Sequence, residues 1–313
     1  MKILAIDLGG RSAKCGIFTS QGFLLKQFVV KTVIGRVLEN LYEATNNYFQ
    51  EHDLNWDEIS SIGICTAGFL DNKTGIVTLS GNLEWKNYPL EKNATKLWKK
   101  PVFIINDANA AAYGEYWKGT GKKYHSLIFY TLGTGVGGGI ILNDQLITGF
   151  KGYGGELGHG GRLQDIVPCT CGQQYCIESI SSATGIERIV NDYALKNPDS
   201  SVGKLRIHLK KVLEVKDLKN LLKKEDEITT KLFLEALRPL ADHMSIMIYA
   251  LNPQSIIIGG GVSQLGTILI KLIKLLLKET TAEFILKDTI ITTSSLQNDA
   301  GMYGACYLAT QHF

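Results

Sequence analysis

Apolar residues occur in short runs along the whole chain, and most runs end at a glycine or a polar residue. Continuous runs of this kind predict strands, whereas apolar residues spaced three or four apart predict helices. The predicted strands are residues 2–7, Cys15–Thr19, Phe23–Val30, Ser61–Cys65, Val102–Ile105, Leu127–Leu132, Ile140–Leu142, Gln254–Ile258 and Ile290–Thr293. The predicted helices are Val37–Gln50, Asn93–Lys99, Ala108–Trp117, several within 182–251, Leu265–Lys278 and Ala300–Thr310. The pattern therefore predicts a mixed α/β protein.

A pattern of strand, glycine turn and strand occurs twice, first after Asp7 and again at Gly133. Internal similarity of this kind indicates a repeated structural unit. The sequence therefore predicts two similar α/β halves that face each other.

Composition and charge narrow the classes of function. The 313 residues allow two domains, and a formal net charge of +3 is too small to indicate a nucleic-acid partner. The densest basic stretch, Lys204–Lys224, has leucines at helical spacing, which favours a solvated helix face. Charge or glycine interrupts every apolar run before it reaches the length of a membrane span. Because the chain begins with a predicted strand instead of a signal peptide and its thiols suit a reducing compartment, we expect a cytoplasmic protein.

One stretch, residues 154–178, combines a histidine, three cysteines and two glutamates with many glycines. Four of these side chains would fill a tetrahedral zinc site completely, as in structural zinc sites: His159, Cys169, Cys171 and Cys176. Folding around the metal would also bring Glu156 and Glu178 together, where their carboxylates could bind a polar substrate.

Buried thiols without a metal are the alternative, because free cysteine often packs as a small apolar residue. Cys15, Cys65 and Cys306 lie in apolar runs and fit that alternative. The spacing C-x-C followed by a third cysteine also differs from the common C-x₂-C pair of zinc sites. Three cysteines within eight positions, beside a histidine, nevertheless favour zinc.

The glycine turns are candidate phosphate sites. Residues 133–138 fit G-x-G-x-x-G, but a β-branched strand follows at Ile140-Ile141, whereas a dinucleotide site requires a helix there. A glycine turn between two strands can still direct backbone N–H groups at phosphate oxygens. The turn at Gly9-Gly10 is similar, with Asp7 placed to meet a metal bound to phosphate. The alternative is a pair of tight hairpins.

Asp107 is the candidate general base. It follows the end of a predicted strand and precedes an alanine-rich helix, which leaves space for a substrate. In phosphoryl transfer a carboxylate takes the proton of the attacking hydroxyl. The alternative is that Asp107 or Asn106 only caps the helix.

These motifs occur in the order seen in ROK sugar kinases, and the chain resembles that family from residue 2 to about 310. The name stands for repressors, open reading frames and kinases. The matching segments are Asp7-Leu8-Gly9-Gly10, Asn82-Leu83-x-Trp85, Asn106-Asp107-Ala108-Asn109, Leu132–Gly139, Gly155-Glu156-x-Gly158-His159, Cys169-x-Cys171-Gly172-x-x-x-Cys176-x-Glu178 and Gly259–Val262.

The resemblance implies an actin-like ATPase (ribonuclease H-like) fold with two lobes and a central cleft. The implied small lobe covers residues 1–115 and is completed by a C-terminal helix over 300–313, and the implied large lobe covers 116–299 with the zinc loop. The resemblance also implies ATP and Mg²⁺ beside structural Zn²⁺, and transfer of the ATP γ-phosphate to a hexose hydroxyl, usually O6.

The resemblance assigns roles to individual residues, with Asp107 as the catalytic base. The implied sugar-binding residues are Gly68, Asn82, Asn106, Asp107, Glu156, His159 and Glu178. The implied nucleotide-binding residues are Asp7, Gly9, Gly10, Gly133, Thr134, Gly135, Gly260 and Gly261. In this family the histidine can serve both the sugar and the zinc through its two ring nitrogens.

Three positions depart from the family pattern. Arg11 replaces the usual threonine and must either point outward or meet a phosphate. Ala67 replaces a proline and loosens the turn before Gly68. Tyr175 replaces a glycine, which would strain the zinc loop if that backbone position is left-handed.

The sequence favours an ATP-dependent hexose kinase acting on glucose, with N-acetylmannosamine or N-acetylglucosamine as the alternative sugars and fructose or allose behind them. A transcriptional repressor of the same family would need a DNA-binding domain ahead of the first strand, and none is expected before Lys2. A sugar sensor without catalytic activity is a further alternative. The presence of the candidate base Asp107 argues against it, whereas the departure at Arg11 favours it. The resemblance also implies a homodimer or a homotetramer.

Overall fold

The computed structural model describes residues 1–160, 167–169 and 171–311. The chain forms two compact units, each built from strands and helices. Unit 1 consists of Met1–His125, Gly139–Gly155 and the segment from Ser295 onward, and unit 2 consists of Ser126–Gly138 and the described residues of Glu156–Ser294. The chain therefore passes between the units four times.

The strands are β1 (Lys2–Leu8), β2 (Ser12–Thr19), β3 (Leu24–Lys31), β4 (Ile59–Thr66), β5 (Phe69–Asp71), β6 (Ile76–Ser80), β7 (Trp85–Tyr88), β8 (Val102–Asn106), β9 (Leu127–Leu132), β10 (Val136–Leu142), β11 (Gln145–Leu146), β12 (Ser255–Gly259) and β13 (Ile290–Thr293). The helices are α1 (Val37–Glu51), α2 (Leu90–Trp98), α3 (Asp107–Trp117), α4 (Glu178–Ser181), α5 (Ala183–Lys196), α6 (Ser201–Leu209), α7 (Val215–Lys223), α8 (Glu227–Leu251), α9 (Thr267–Thr280), α10 (Glu283–Leu286) and α11 (Ala300–Thr310).

The main sheet of unit 1 has the strand order β3-β2-β1-β4-β8. Strand β1 pairs antiparallel with β2 and parallel with β4, so Ile6 lies between Cys15 and Ile64. The apolar run of β1 is buried because layers of side chains cover both faces of a central strand. This sheet brings the ends of β1, β4 and β8 to one edge, where Asp7, Thr66 and Asn106 lie.

Helices α3 and α11 pack closely together in unit 1. A Cβ added at Gly304 would lie 1.7 Å from the Ala110 carbonyl oxygen, and one added at Gly114 would lie 2.1 Å from the Ala300 carbonyl oxygen. Only glycine allows the two helix backbones to approach this far. The contact fixes the direction of α3, which begins at the candidate base Asp107.

The second five-stranded sheet has the order β11-β10-β9-β12-β13, and β10 runs from unit 2 into unit 1. Strands β9, β12 and β13 are parallel to one another, as are β1, β4 and β8 in the first sheet. The two sheets therefore have the same strand order, which agrees with the repeat predicted from the sequence.

Two predicted element bounds need correction, and one sheet has to be added. Strand β10 begins at Val136 and not at Ile140, so only residues 133–135 form a turn and the later glycines lie within a strand. Helix α9 begins at Thr267 and not at Leu265, because a 3₁₀ helix occupies Gly261–Leu265. A small sheet of order β5-β6-β7 follows Gly68 and was not predicted, because its strands are short and rich in polar residues.

The basic stretch Lys204–Lys224 forms two helices, α6 and α7, which Lys210 separates in a left-handed backbone conformation (φ 52°). Six of its seven lysines are exposed and three of its six leucines are buried, which confirms a solvated helix face. Among the residues that the structure describes, none of the helices combines the length and the apolar character that crossing a membrane requires.

Candidate active site

Asn106 and Asp107 mark the junction of β8 and α3. Asn106 is the N-cap of α3, because its Oδ1 accepts the N–H groups of Ala108 at 2.9 Å and Asn109 at 3.1 Å. One oxygen of Asp107, Oδ1, also accepts the Ala108 N–H at 2.9 Å. The other oxygen, Oδ2, has no hydrogen-bond partner among the described residues. The capping alternative therefore applies to Asn106, and Asp107 keeps one carboxylate oxygen available for a substrate.

Two carboxylates, those of Asp7 and Asp107, lie partly buried in unit 1. Burial raises the pKa of Asp107 above its ordinary value. Burial and the nearby charge of Asp107 raise the pKa of Asp7 to about 6, although a hydrogen bond with Cys65 and the positive charge of Lys14 oppose this rise. Two anionic groups of this kind repel each other, and a divalent cation with oxygen ligands would relieve the repulsion. The residues present therefore fit a Mg²⁺ ion bound near Asp7.

Asp7→Asn is expected to stabilise the protein as the pH rises, when magnesium and nucleotide are absent. The folded state holds a proton on Asp7 up to about pH 6, whereas an unfolded aspartate loses it near its ordinary value of 3.8. The free energy of unfolding of the wild type therefore falls between these two pH values, and the asparagine variant lacks that loss. Urea denaturation should show an advantage of the variant that grows from nearly zero at acid pH to about 3 kcal/mol at neutral pH. Asp57→Asn, at an exposed aspartate, is the control and should show no such trend.

Several candidate sugar and phosphate residues of unit 1 lie close to Asn106. The Asn106 Nδ2 donates to the Gly68 carbonyl oxygen at 3.2 Å. Gly68 has a φ of 120°, and a Cβ there would lie 2.4 Å from the Leu79 carbonyl oxygen. Beyond Leu79 the chain reaches Asn82, whose carbonyl oxygen lies 2.7 Å from the place of a Cβ on Gly10. Asn106, Gly68, Asn82 and Gly10 therefore form one connected region.

The two glycine turns of unit 2, one after β9 and one after β12, lie next to each other. The turn after β9 closes through a hydrogen bond from the Gly133 N–H to the Gly135 carbonyl oxygen at 3.0 Å, and Thr134 between them is exposed. At the end of β12, Gly260 has a φ of 79°, and a Cβ there would lie 2.4 Å from the Leu132 carbonyl oxygen. The turn at Gly260-Gly261 is therefore held directly against the residue before Gly133. This arrangement offers two adjacent turns with free space at Gly133 and Gly261.

Glu178 connects the turn after β9 to the cysteine-rich loop. Its Oε2 accepts the Val136 N–H at 3.0 Å, and its Oε1 lies 3.3 Å from the Cys169 Sγ. A Cβ on Gly135 would lie 2.1 Å from the Glu178 Oε2, so this approach requires glycine at 135. The contact with Val136 could not be predicted, because a backbone N–H leaves no signal in the sequence.

The proposed zinc ligands come together in unit 2. The ligand atoms of His159, Cys169, Cys171 and Cys176 all lie within 4.8 Å of one another. The Cys171 and Cys176 Sγ atoms are 3.6 Å apart, and the Cys169 Sγ is 3.6 Å from the His159 Nδ1. Tetrahedral zinc with ordinary bond lengths separates its ligand atoms by about 3.6–3.8 Å. The four side chains therefore fit a closed zinc site with no position for water.

His159 presents its two ring nitrogens to different partners. Nδ1 faces Cys169, whereas Nε2 lies 3.9 Å from the Glu156 Oε2. The loop that carries these residues packs on β10, since a Cβ on Gly158 would lie 2.0 Å from the Val136 carbonyl oxygen. The geometry thus leaves Nδ1 for a metal and directs Nε2 toward a carboxylate.

The three departures from the family pattern have different outcomes. Arg11 is exposed, and within the described part of the chain its guanidinium has no ion-pair partner, so both predicted roles stay predictions. Tyr175 has a φ of 74°, so the predicted strain in the zinc loop is present and costs about 1 kcal/mol. Ala67 lies in the bend between β4 and β5, directly before the positive φ of Gly68.

The chain belongs to the ROK family, whose sequence profile matches residues 3–312. Relatives named glucokinase support this membership over the full length. The glucokinase of Thermotoga maritima is 32% identical over 97% of this chain and 96% of that protein. The glucokinase of Halalkalibacterium halodurans is 31% identical over 98% of this chain and 94% of that protein.

A solved structure shows the same fold. It is a ROK family glucokinase from Streptomyces griseus in complex with glucose and AMPPNP, with a TM-score of 0.83 and 28% identity, covering 99% of this chain and 100% of that one. This likeness and the repeated sheets confirm the predicted actin-like ATPase fold.

Proposed function

We propose that this protein is an ATP-dependent hexose kinase that transfers the γ-phosphate of ATP to O6 of glucose. The full-length relatives named glucokinase support the reaction class, as does the neighbouring structure with glucose and AMPPNP. The observation that carries the proposal is the carboxylate of Asp107 at the start of α3, which has a raised pKa and one oxygen with no partner among the residues that the structure describes.

In the proposed reaction Asp107 acts as the general base. Its Oδ2 accepts the proton of the sugar hydroxyl while the hydroxyl oxygen forms a bond to the γ-phosphorus, and the bond from that phosphorus to the bridging oxygen of ADP breaks. A base works best when its pKa lies near the working pH, and burial moves the pKa of Asp107 in that direction. The hydrogen bond from Ala108 to Oδ1 fixes the orientation of the carboxylate.

The sugar is proposed to contact both polar and backbone groups. The Asn106 Oδ1 accepts two backbone N–H groups of α3, and one N–H of its amide donates to the Gly68 carbonyl oxygen. The second N–H of the amide can donate to a sugar hydroxyl. Gly68 and Asn82 are proposed sugar residues because they lie beside Asn106. The acceptors proposed for the remaining hydroxyls are Glu156, His159 through Nε2, and Glu178.

The nucleotide is proposed to bind the glycine turns through backbone N–H groups. The residues concerned are Gly9, Gly10, Gly133, Thr134, Gly135, Gly260 and Gly261. Asp7 is proposed to hold Mg²⁺, which when bound neutralises phosphate charge. Zn²⁺ is proposed as a structural ion on His159 and the three cysteines, where it fixes the loop that carries Glu156 and Glu178. A cytoplasmic location and a homodimer or homotetramer stay predictions of the sequence.

Glucose is expected to be the best substrate in a panel assayed by ADP release from ATP and Mg²⁺. The panel holds glucose, mannose, fructose, allose, N-acetylglucosamine and N-acetylmannosamine. We expect kcat/KM for glucose to exceed that for either N-acetyl sugar by about 10-fold or more, because a pocket shaped for a hydroxyl excludes the larger group.

A preference for an N-acetyl sugar would contradict glucose as the substrate, but it would still agree with a sugar kinase activity. Absence of sugar-dependent ADP release from the folded, zinc-loaded protein would contradict the kinase itself and favour a sensor.

A further inference from the structure

Lys14 lies directly opposite Asp7 in the sheet of unit 1. The two residues pair in register between β1 and the antiparallel strand β2. Directly opposite residues project their side chains from the same face of a sheet. Lys14 and Asp7 therefore share one face, although the Lys14 ammonium binds elsewhere.

The first turn of α11 covers that face at Asp7. A Cβ added to Gly301, the second residue of α11, would lie 2.9 Å from the Asp7 Oδ2 and 3.2 Å from the Cys65 Sγ. The helix backbone therefore rests directly on the Asp7 carboxylate and leaves no room for a side chain. Any shift of the helix start would change the position that this carboxylate can occupy.

The Lys14 ammonium anchors the same helix start. Its Nζ donates to the Asp299 Oδ1 at 2.9 Å and to the Asn298 carbonyl oxygen at 2.7 Å, and these are the two residues before α11 begins. Gln27 on β3 also donates to the Asp299 Oδ1, at 3.4 Å. The Lys14 side chain is 25% exposed and the Asp299 side chain is 40% exposed, so this ion pair is partly shielded from solvent. It connects β2 to the turn of helix that confines Asp7.

We propose that Lys14, through its ion pair with Asp299, is a positioning residue for the Asp7 carboxylate. The inference rests on the proposed function, in which Asp7 holds Mg²⁺. Lys14 acts by keeping the first turn of α11 in place, and it does not touch the metal or the phosphates. Residues that orient a metal ligand in this way affect metal affinity by about 10–100-fold.

Positioning and simple electrostatics predict opposite results for Lys14→Met. Removal of a positive charge near Asp7 would strengthen Mg²⁺ binding if charge alone mattered. Loss of the anchor should instead weaken it, because the Asp7 carboxylate then loses its fixed orientation. The sign of the change therefore tests the proposal.

The experiment measures binding of AMPPNP as a function of Mg²⁺ concentration by titration calorimetry, with glucose binding measured separately. For Lys14→Met we expect the half-saturating Mg²⁺ concentration to rise about 10-fold while glucose affinity changes less than about 2-fold. Lys14→Arg should restore most of the affinity, because it can keep the pair with Asp299. Asp299→Asn should match Lys14→Met, and the double variant should be no worse than either single one.

Lys2→Met is the matched control. Lys2 also lies in this sheet, and its Nζ forms an ion pair with Glu58 at 2.8 Å. Replacement of Lys2 should leave the half-saturating Mg²⁺ concentration for AMPPNP binding unchanged. Unchanged or tighter Mg²⁺ binding in Lys14→Met would overturn the proposal, and so would an equal weakening of glucose binding. Because the readout is binding and not turnover, a wild type that binds Mg²⁺ and AMPPNP but phosphorylates no sugar would refute the proposed function alone.

Discussion

Asp107→Asn is expected to lower kcat for glucose phosphorylation by about 10²–10⁴-fold while glucose binding changes little. Asparagine keeps the shape of the side chain and can still accept the Ala108 N–H, so the start of α3 should persist. Asn106 remains the cap of that helix in the variant. What the variant loses is the carboxylate oxygen that takes the proton of the sugar hydroxyl.

The measurement combines steady-state ADP release with calorimetric glucose binding on the same preparations. Asp57→Asn, an exposed aspartate of unit 1, is the matched control and should keep wild-type kcat. If Asp107→Asn kept more than about a tenth of wild-type turnover, the assignment of the base would be wrong.

Cys171→Ser is expected to remove zinc and to destabilise the protein at the same time. Its Sγ lies 3.6 Å from that of Cys176 within the four-ligand cluster, and a neutral hydroxyl is a poor replacement for a thiolate. Because metal binding and folding of such a loop are coupled, we expect the zinc affinity to fall more than about 100-fold and the free energy of unfolding to fall by about 3 kcal/mol. Metal analysis after dialysis and chemical denaturation provide the two readouts.

Cys306→Ala is the control that distinguishes the effect of losing zinc from the general effect of losing a buried thiol. Cys306 is buried in α11, outside the cluster, so this variant should lose some stability but keep its zinc. A Cys171→Ser protein that retained stoichiometric zinc, or that lost it without any loss of stability, would contradict a structural metal.

The parts of the fold with a simple apolar pattern could be predicted closely. Strand β9, strand β13 and helix α11 have the bounds that the sequence predicts, because glycine or polar residues flank each apolar run. The predicted start of β10 was wrong, because the glycines before Ile140 were interpreted as part of a turn. Pairing with neighbouring strands overrides the weak strand preference of glycine. The small sheet after Gly68 was missed because strands as short as Phe69–Asp71 leave almost no periodic signal.

In the candidate site, features that are local in the sequence could be predicted, whereas features that depend on three-dimensional geometry could not. The zinc ligands and the pair Asn106-Asp107 could be found because their residues lie close together in the sequence. The distribution of roles between Asn106 and Asp107 could not, because only hydrogen-bond geometry distinguishes a cap from a free carboxylate. The Lys14–Asp299 pair was also invisible, since its members are separated by most of the chain.

The central claim is the transfer of phosphate from ATP to O6 of glucose, and the most direct measurement follows that phosphate. The protein is incubated with Mg²⁺ and ATP that carries a radioactive γ-phosphate, with glucose in one reaction and 6-deoxyglucose in another. We predict that the label appears in a sugar phosphate when glucose is present, and that no labelled sugar phosphate forms with 6-deoxyglucose or with the Asp107→Asn variant. Label that stays in ATP with glucose present, or that reaches 6-deoxyglucose equally well, would contradict it.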